Sequence, residues 1–270
     1  MEIDAIREVA LRAAKEAGAI LRQGLEQQRI IEFKGVKNLV TDMDRRSEEA
    51  IADLVRQKLP HHNVVCEEGT RLQGDSGYHW YVDPLDGTTN YAHGYPCYSV
   101  SIGVEKDGEL IFGCVYDPSL EELFTAERDG GAFLNGKRLQ VSAISSLSHA
   151  LLATGFPNDV AGAKDNNLDH FVRFMKRAQG VRRPGSAALD LCYVAAGRFD
   201  GFWELKLNPW DMAAGSLMVT EAGGRVTDLR GGPHRLTNPQ IVASNGLLHE
   251  EMLRVLAMES CDPIVRGGHS

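Results

Sequence analysis

The stretch Trp80-Tyr81-Val82-Asp83-Pro84-Leu85-Asp86-Gly87-Thr88-Thr89-Asn90 constrains this chain more than any other. An apolar run ends in two acids three residues apart, with a proline between them and a glycine directly after. Asp, Pro and Gly are all turn formers, so an isolated segment of this kind also fits a solvated turn. Functionally, Pro84 would bend the chain so that both carboxylates face one point, and Gly87 would let the backbone approach a ligand. Thr88 and Thr89 would then open a helix whose free N–H groups hold a phosphate.

Three more acidic positions fit the same scheme. Glu67-Glu68 follows the apolar Val64-Val65-Cys66, Asp211 lies in Asn208-Pro209-Trp210-Asp211-Met212-Ala213-Ala214-Gly215, and Asp44 lies in Val40-Thr41-Asp42-Met43-Asp44. Taken singly, Asp44 and Asp211 also suit a helix's first turn, where an acid complements the dipole, and Glu67 suits a surface. Strand ends converge, however, and both Glu67 and Asp83 end apolar strands. Carboxylates that meet must either raise their pKa values or bind cations, and an all-oxygen donor set selects a hard ion such as Mg²⁺. Metals beside helix-terminal N–H groups suit hydrolysis of a phosphate ester, with one ion activating water and both clamping the phosphate oxygens.

The chain has 270 residues, 43% of them hydrophobic, with 29 Lys+Arg against 37 Asp+Glu for a net charge of −8. That charge repels nucleic-acid phosphates, and the basic pairs Arg45-Arg46, Lys176-Arg177 and Arg182-Arg183 are too short to reverse it, so no nucleic-acid partner is expected. Five widely spaced cysteines without a C-x-x-C indicate neither a disulfide framework nor a zinc site, and are read as reduced thiols in the cytoplasm. The acidic start Met1-Glu2-Ile3-Asp4 and the lack of a long apolar run give no sign of a secretory signal or a membrane span.

Spacing predicts a helix from Ile3 to about Leu25, with Ile6, Ala10, Ala13, Ala17 and Leu21 on one face, and a second from Asp44 to Leu59 ended by Pro60. Strands are expected at Asn63–Cys66 and Trp80–Val82, then an antiparallel meander over Ser99–Val141 with turns at Asp107-Gly108, Asp129-Gly130 and Asn135-Gly136. Beyond Leu151 strands are expected at Leu151–Thr154, Phe199–Trp203 and Ile241–Ser244. Helices are expected at His170–Ala178, Ser186–Ala196, Trp210–Glu221 and His249–Met258. The alternation argues for a mixed α/β fold in layers, with residues 1–145 and 146–270 as two fused halves that share contacts.

Together, Asp83-Pro84-Leu85-Asp86-Gly87-Thr88, the upstream Glu67-Glu68 and the downstream Trp210-Asp211-Met212-Ala213-Ala214-Gly215 resemble the inositol monophosphatase family. The similarity runs from about Lys34 to about Asn245, through Arg183-Pro184-Gly185-Ser186-Ala187-Ala188-Leu189-Asp190 and Gly201-Phe202-Trp203-Glu204. The resemblance implies an α-β-α-β-α sandwich of the inositol monophosphatase and fructose bisphosphatase type, two or three Mg²⁺ ions, lithium inhibition and a homodimer. Carried over by position, it gives Glu67, Asp83 and the Leu85 carbonyl to a first metal, and Asp83, Asp86 and Asp211 to a second. Asp44 and Thr88 would position the attacking water, and Glu67 would help anchor a third ion. The Gly87 and Thr88 N–H groups, beside Asp86, would face the phosphate, while Gly185, Ser186 and Glu204 would contact substrate hydroxyls. Lys34 matches a basic residue near the site. Two positions depart from the family pattern: Cys66 where a small residue is common, and Asn158 where an aromatic is.

Competing motifs are incomplete. The Asp-x-Asp-Gly-Thr motif of aspartyl-phosphate enzymes would need its nucleophile at position 84, which is Pro84, so direct attack of metal-activated water is expected. Gly131–Arg138 lacks the hydroxyl residue that ends a P-loop, His249-Glu250-Glu251 lacks a second histidine, and Gly185-Ser186-Ala187 is not G-x-S-x-G. Trp203 and Trp210 are read as packing residues. Glu204 favours a small phosphorylated polyol, since an acid accepts its hydroxyls and repels a second phosphate. Fructose 1,6-bisphosphate, histidinol phosphate, an NADP-type ester and a 3′-phosphonucleotide are the alternatives. Bacterial members of the family can also act as RNA-polymerase-associated regulators, a second class of function.

Overall fold

The computed structural model describes residues 2–26, 31–33 and 39–258. Lys34 and Cys261 lie outside the described residues. The first helix, α1 (Glu2–Leu25), buries the expected stripe of Ile6, Ala10, Ala13, Ala17 and Leu21. A short antiparallel ribbon, β1 (Ile31–Phe33) with β2 (Leu39–Thr41), leads into α2 (Asp42–Lys58). That helix starts two residues before the position read from the sequence, because Thr41 caps it.

Next come β3 (Asn63–Cys66), β4 (Arg71–Leu72), β5 (Tyr78–Asp86), α3 (Thr88–Ala92), β6 (Ser99–Lys106), β7 (Glu109–Asp117), β8 (Glu122–Glu127), β9 (Gly131–Leu134) and β10 (Lys137–Arg138). The strands build an eight-stranded sheet in the order β10-β9-β8-β7-β6-β5-β3-β4, antiparallel except where β3 meets β5. Its meander turns as expected at Asp107-Gly108 and Asn135-Gly136, where all four residues have positive φ. Between β8 and β9 the positive φ values fall on Asp129 and Gly131 instead of the Asp129-Gly130 pair.

The remainder comprises β11 (Leu151–Thr154), α4 (Leu168–Met175), β12 (Gly180–Arg182), α5 (Ala187–Ala195), β13 (Gly201–Leu205), α6 (Pro209–Glu221), β14 (Arg225–Thr227), β15 (Gln240–Ser244) and α7 (His249–Leu256). These strands form a five-stranded mixed sheet, β12-β11-β13-β15-β14. Short strands such as β4, β12 and β14 escaped the sequence reading, since two or three residues carry no alternation to recognise.

The layers follow from which faces are apolar. Helices α1 and α2 cover the large sheet through Ile6, Leu21, Ile51 and Val55 against Trp80, Val82, Val100 and Ile102. Helices α5 and α6 lie between the sheets, packing Leu191, Met212 and Met218 against Val115 and Phe124 on one side and Phe202 and Ile241 on the other. Helices α4 and α7 close the small sheet's outer face through Phe174, Met252 and Val255 against Leu152, Trp203 and Val242. The result is the α-β-α-β-α sandwich.

The α6 layer comes unusually close to the large sheet. Gly103 of β6 and Gly113 of β7 are direct cross-strand partners, and both lie under Ala213 and Ala214 of α6. A Cβ on Gly103 would fall 2.4 Å from Ala213 Cβ, and one on Gly113 would fall 2.9 Å from the Ala214 carbonyl oxygen. This seam of small residues seats the N-terminal half of α6 on the sheet.

Two expectations follow. Gly103→Ala should cost about 1–3 kcal/mol by overpacking, lowering Tm by roughly 2–4 °C per kcal/mol in a chain of this size. Gly162→Ala, where a Cβ meets nothing within 4 Å, is the control and should be close to neutral by calorimetry. The second concerns His249, fully buried with Nε2 at 2.8 Å from Thr227 Oγ1 and Nδ1 at 2.9 Å from Ser244 Oγ. Burial pushes its pKa down to about 4, helped by Arg225 and opposed by Glu250. The unfolded chain therefore takes up a proton near pH 6.5 that the folded protein refuses until about pH 4. Stability from this site is full above pH 6.5 and is lost as pH falls through that window, by up to about 3 kcal/mol. Denaturant melts should show a flatter acid slope for His249→Gln than for the parent.

Candidate active site

A bulge in β5 decides where the central carboxylates point. Side chains of a strand alternate, so Asp83 and Asp86, three apart, would face opposite sides of a regular sheet. Pro84 has no N–H for the ladder, and the register shifts here: Asp83 pairs with Ser101 and Asp86 with Ser99, so three steps on β5 match two on β6. Ser99 and Ser101 both face the α5–α6 layer, with Ser99 Oγ 3.4 Å from Ser186 Oγ and Ser101 Oγ donating to Trp210 O at 3.2 Å. Asp83 and Asp86 are thereby turned to the same face, while Leu85 joins the core beneath α1 and α2. Gly87 then takes a φ of 95°, and a Cβ there would lie 2.8 Å from the Cys97 carbonyl oxygen, so only glycine fits. The helix α3 starts directly after it.

Two other acids come from helix starts and do double duty. Asp44, in the first turn of α2, takes the Thr41 N–H on Oδ2 at 2.8 Å, with the Thr41 hydroxyl on the same oxygen at 2.5 Å. Its Oδ1 lies 3.3 Å from Thr88 Oγ1, which is also 3.1 Å from the Leu85 carbonyl oxygen. Asp211, in the first turn of α6, accepts the Asn208 N–H on Oδ2 at 2.7 Å. Glu67 follows β3, its own N–H bonded to Val82 O at 3.1 Å, which sets it beside Asp83.

These carboxyls act on one another. Asp83 is held well above the usual carboxylate range by burial, then by the charges of Glu67, Asp86 and Asp211 and a hydrogen bond with Glu67. Asp211 is raised likewise by its low-dielectric surroundings and by Glu67 and Asp86. Burial lifts Asp86 to about 6 against hydrogen bonds from Ser186 Oγ at 2.6 Å and the Ala188 N–H at 2.8 Å. Burial also lifts Asp44 to about 6, opposed by the Thr41 bonds. Such a cluster favours either retained protons or bound cations. Among the described residues no three His, Cys, Asp or Glu side chains are arranged so that they could hold a metal ion as they stand. Four of these carboxylates, those of Asp44, Asp83, Asp86 and Asp211, are turned toward donors of their own, Asp83 toward the Leu85 N–H at 2.9 Å.

An open pocket of about 420 Å³ lies above the cluster, walled by Glu67, Asp86, Gly87, Thr88, Gly185, Glu204 and Asp211. A larger hollow of about 750 Å³, under His234 and Arg235 beside the C-terminal half of α6, holds none of the candidate site residues named from the sequence. Glu204 reaches the pocket from the end of β13 with its carboxylate against Gly155, its pKa raised to about 8 by burial and Asp86 and moderated by Arg183. Ser186 departs from the expected role: it is buried behind Asp86, its hydroxyl given to that carboxylate, and it does not line the pocket. Trp203 is a core residue, as read.

Other residues shaping the site were missed. Buried Glu48 accepts the Glu68 N–H at 2.7 Å and the Thr70 N–H at 2.8 Å, clamping the loop that carries Glu67. Its spacing of four from Asp44, one helical turn, was the available signal. Asn90 ties Cys97 O at 2.7 Å to Pro184 O at 2.8 Å, joining the turn after β5 to the segment before α5. Asp190 is buried with Oδ1 unpartnered and its pKa raised well up, first by burial and then by Glu204 and Asp86. No helix among the described residues is long and apolar enough to cross a membrane.

The family model for the inositol monophosphatase family matches residues 2–260. A Pseudomonas aeruginosa protein named Nus factor SuhB is 44% identical over 92% of this chain and 94% of its own length. A Mesorhizobium japonicum inositol-1-monophosphatase is 41% identical over 95% and 97%. Among solved structures, the extragenic suppressor protein suhB of Bartonella henselae superposes with a TM-score of 0.90 at 41% identity, covering 94% of this chain and 98% of that one. The inositol monophosphatase of Anabaena gives 0.87 at 40%, covering 95% and 96%. With fold and sequence in agreement, this chain belongs to the inositol monophosphatase family.

Proposed function

We propose that this protein is a Mg²⁺-dependent phosphatase that hydrolyses small phosphorylated polyols, myo-inositol phosphates foremost, by direct attack of water. The observation that carries this reading is the coupling of buried Asp83 to Glu67, Asp86 and Asp211, three acids that line one pocket together with Glu204, while Asp44 meets Thr88 of the same pocket. The donors fit hard divalent ions: all are oxygen, and their mutual repulsion is what cations would relieve. Glu67, Asp83 and the Leu85 carbonyl would hold one ion, and Asp83, Asp86 and Asp211 another, with Glu67 also serving a third. When bound, such ions neutralise phosphate oxygens and acidify water.

The chain's own groups do the rest. The Thr88 hydroxyl, poised between Asp44 Oδ1 and the Leu85 carbonyl, orients the attacking water, and Asp44 accepts its proton. The Gly87 and Thr88 N–H groups receive phosphate oxygens. Gly185 and Glu204 face the leaving alcohol, while Ser186 serves by fixing Asp86. The groups come from both sides of residue 145, so we read the two fused parts as one working unit. An exposed apolar stripe on α4, Leu168, Val172 and Met175 at helical spacing, supports a homodimer. The unpaired thiols of Cys66, Cys97, Cys114 and Cys192 support a cytoplasmic location.

The relative named Nus factor SuhB favours a second reading, a regulatory role beside RNA polymerase that needs no hydrolysis. Asp83→Asn separates the two. It should abolish Mg²⁺-dependent turnover by several orders of magnitude, yet raise Tm in metal-free buffer, because it removes one charge from a buried repulsive cluster. Retention of a cellular phenotype by this variant would favour the regulatory role. Substrate class is tested at Glu204: Glu204→Ala should raise KM for myo-inositol 1-phosphate more than for p-nitrophenyl phosphate. Equal effects on both esters would remove Glu204 from recognition of the leaving group.

A further inference from the structure

The segment between β11 and α4 crosses the leaving-group side of the pocket, bringing Phe156, Asn158 and Asp159 to its wall. Its base is firmly tied. Asn167, buried with a φ of 69°, donates through Nδ2 to Thr154 Oγ1 at 2.8 Å and to the Gly155 carbonyl at 2.6 Å, and its Oδ1 accepts Trp203 Nε1 at 2.7 Å. One buried side chain thus joins the two ends of the strap to the core. Toward its middle the strap is held differently: both Asp159 oxygens take Lys206 Nζ, at 2.8 and 2.7 Å, with the side chains 61% and 38% exposed.

Lys206 stands at the end of β13, two residues past Glu204, and also lines the pocket. Its φ is 60°, in the left-handed region where a side chain costs free energy that glycine would not. A strained lysine at a pocket rim, making a two-pronged bond to the one strap that covers that rim, is a specific arrangement.

We propose that the Lys206–Asp159 pair latches the 156–166 strap over the leaving-group side of the pocket and so helps discriminate a hydroxylated leaving group from a flat aromatic one. Closed, the strap rises beside Glu204, whose carboxylate packs against Gly155 at the strap's base, and shields its contact with a polyol hydroxyl from water. Open, that shielding is lost, whereas an aryl leaving group makes no such contact. Because the pair is exposed, its bias toward the closed strap is modest, about fivefold, which suits a cover that must open at each turnover. The discrimination rests on the phosphatase reading above; the latch does not.

Lys206→Gly tests both, since it removes the cation and relieves the strained φ, so Tm should hold or rise. Hydrogen exchange of the 156–166 amides should quicken severalfold in this variant and in Asp159→Asn, and in the parent on raising salt. In Mg²⁺ buffer the ratio of kcat/KM for myo-inositol 1-phosphate to that for p-nitrophenyl phosphate should fall about fivefold in either variant, and no further in the double variant. Unchanged exchange overturns the latch. Faster exchange with an unchanged ratio, or additive losses in the double variant, overturns the role in discrimination. If the parent hydrolyses neither ester, the phosphatase reading fails and the exchange result alone decides the latch.

Discussion

Several carboxylates held in one poorly solvated space repel each other, and most of the fold around them exists to resist that repulsion. Each acid is anchored separately. The extra residue in β5 turns Asp83 and Asp86 to one side, and Ser186 with the Ala188 N–H holds Asp86 in place. Glu48 secures the loop behind Glu67. The glycine pair under Ala213 and Ala214 lets α6 sit low enough for Asp211 to reach the same space. None of these anchors is local. The bond from Ser186 to Asp86 spans 100 positions, so the cluster forms only once both sheets and the helices between them are assembled.

The layered architecture supplies that assembly. Strands β3 and β5 run parallel and both deliver acids at their C-terminal ends, as open sheets commonly do at ligand sites. Helix α6 meets both sheets, so the position of Asp211 depends on Val115 and Phe124 on one side and on Ile241 on the other. A pocket that joins these acids to Glu204 follows from one helix being shared by two cores.

Much of this was legible in the chain. Apolar spacing located α1 and α2, turn pairs located the meander, and the acids ending apolar runs pointed to Glu67 and Asp83, whereas Asp44 and Asp211 read equally well as helix starts. What was not legible depends on partners distant in sequence. Gly103 and Gly113 look like ordinary strand glycines until α6 is placed on them. Ser186 belongs to a motif associated with substrate, yet its hydroxyl faces Asp86, a geometry that spacing along the chain cannot reveal. Glu48 was not singled out in the sequence, and only the path of the loop after β3 shows why it is buried. Pro84 was readable as a bend, whereas the one-residue slip against β6 that re-phases Asp86 needed the ladder itself.

Asp44 and Asp211 each give one oxygen to the backbone N–H that begins their own helix. The start of the helix and the reactive centre therefore share a side chain. A cation that binds those carboxylates while they stay ionised also holds the first turns of α2 and α6 in place, and whatever frays those turns loosens its hold. Local folding and ligand affinity are thus a single equilibrium seen from two ends, and heat resistance should rise with occupancy.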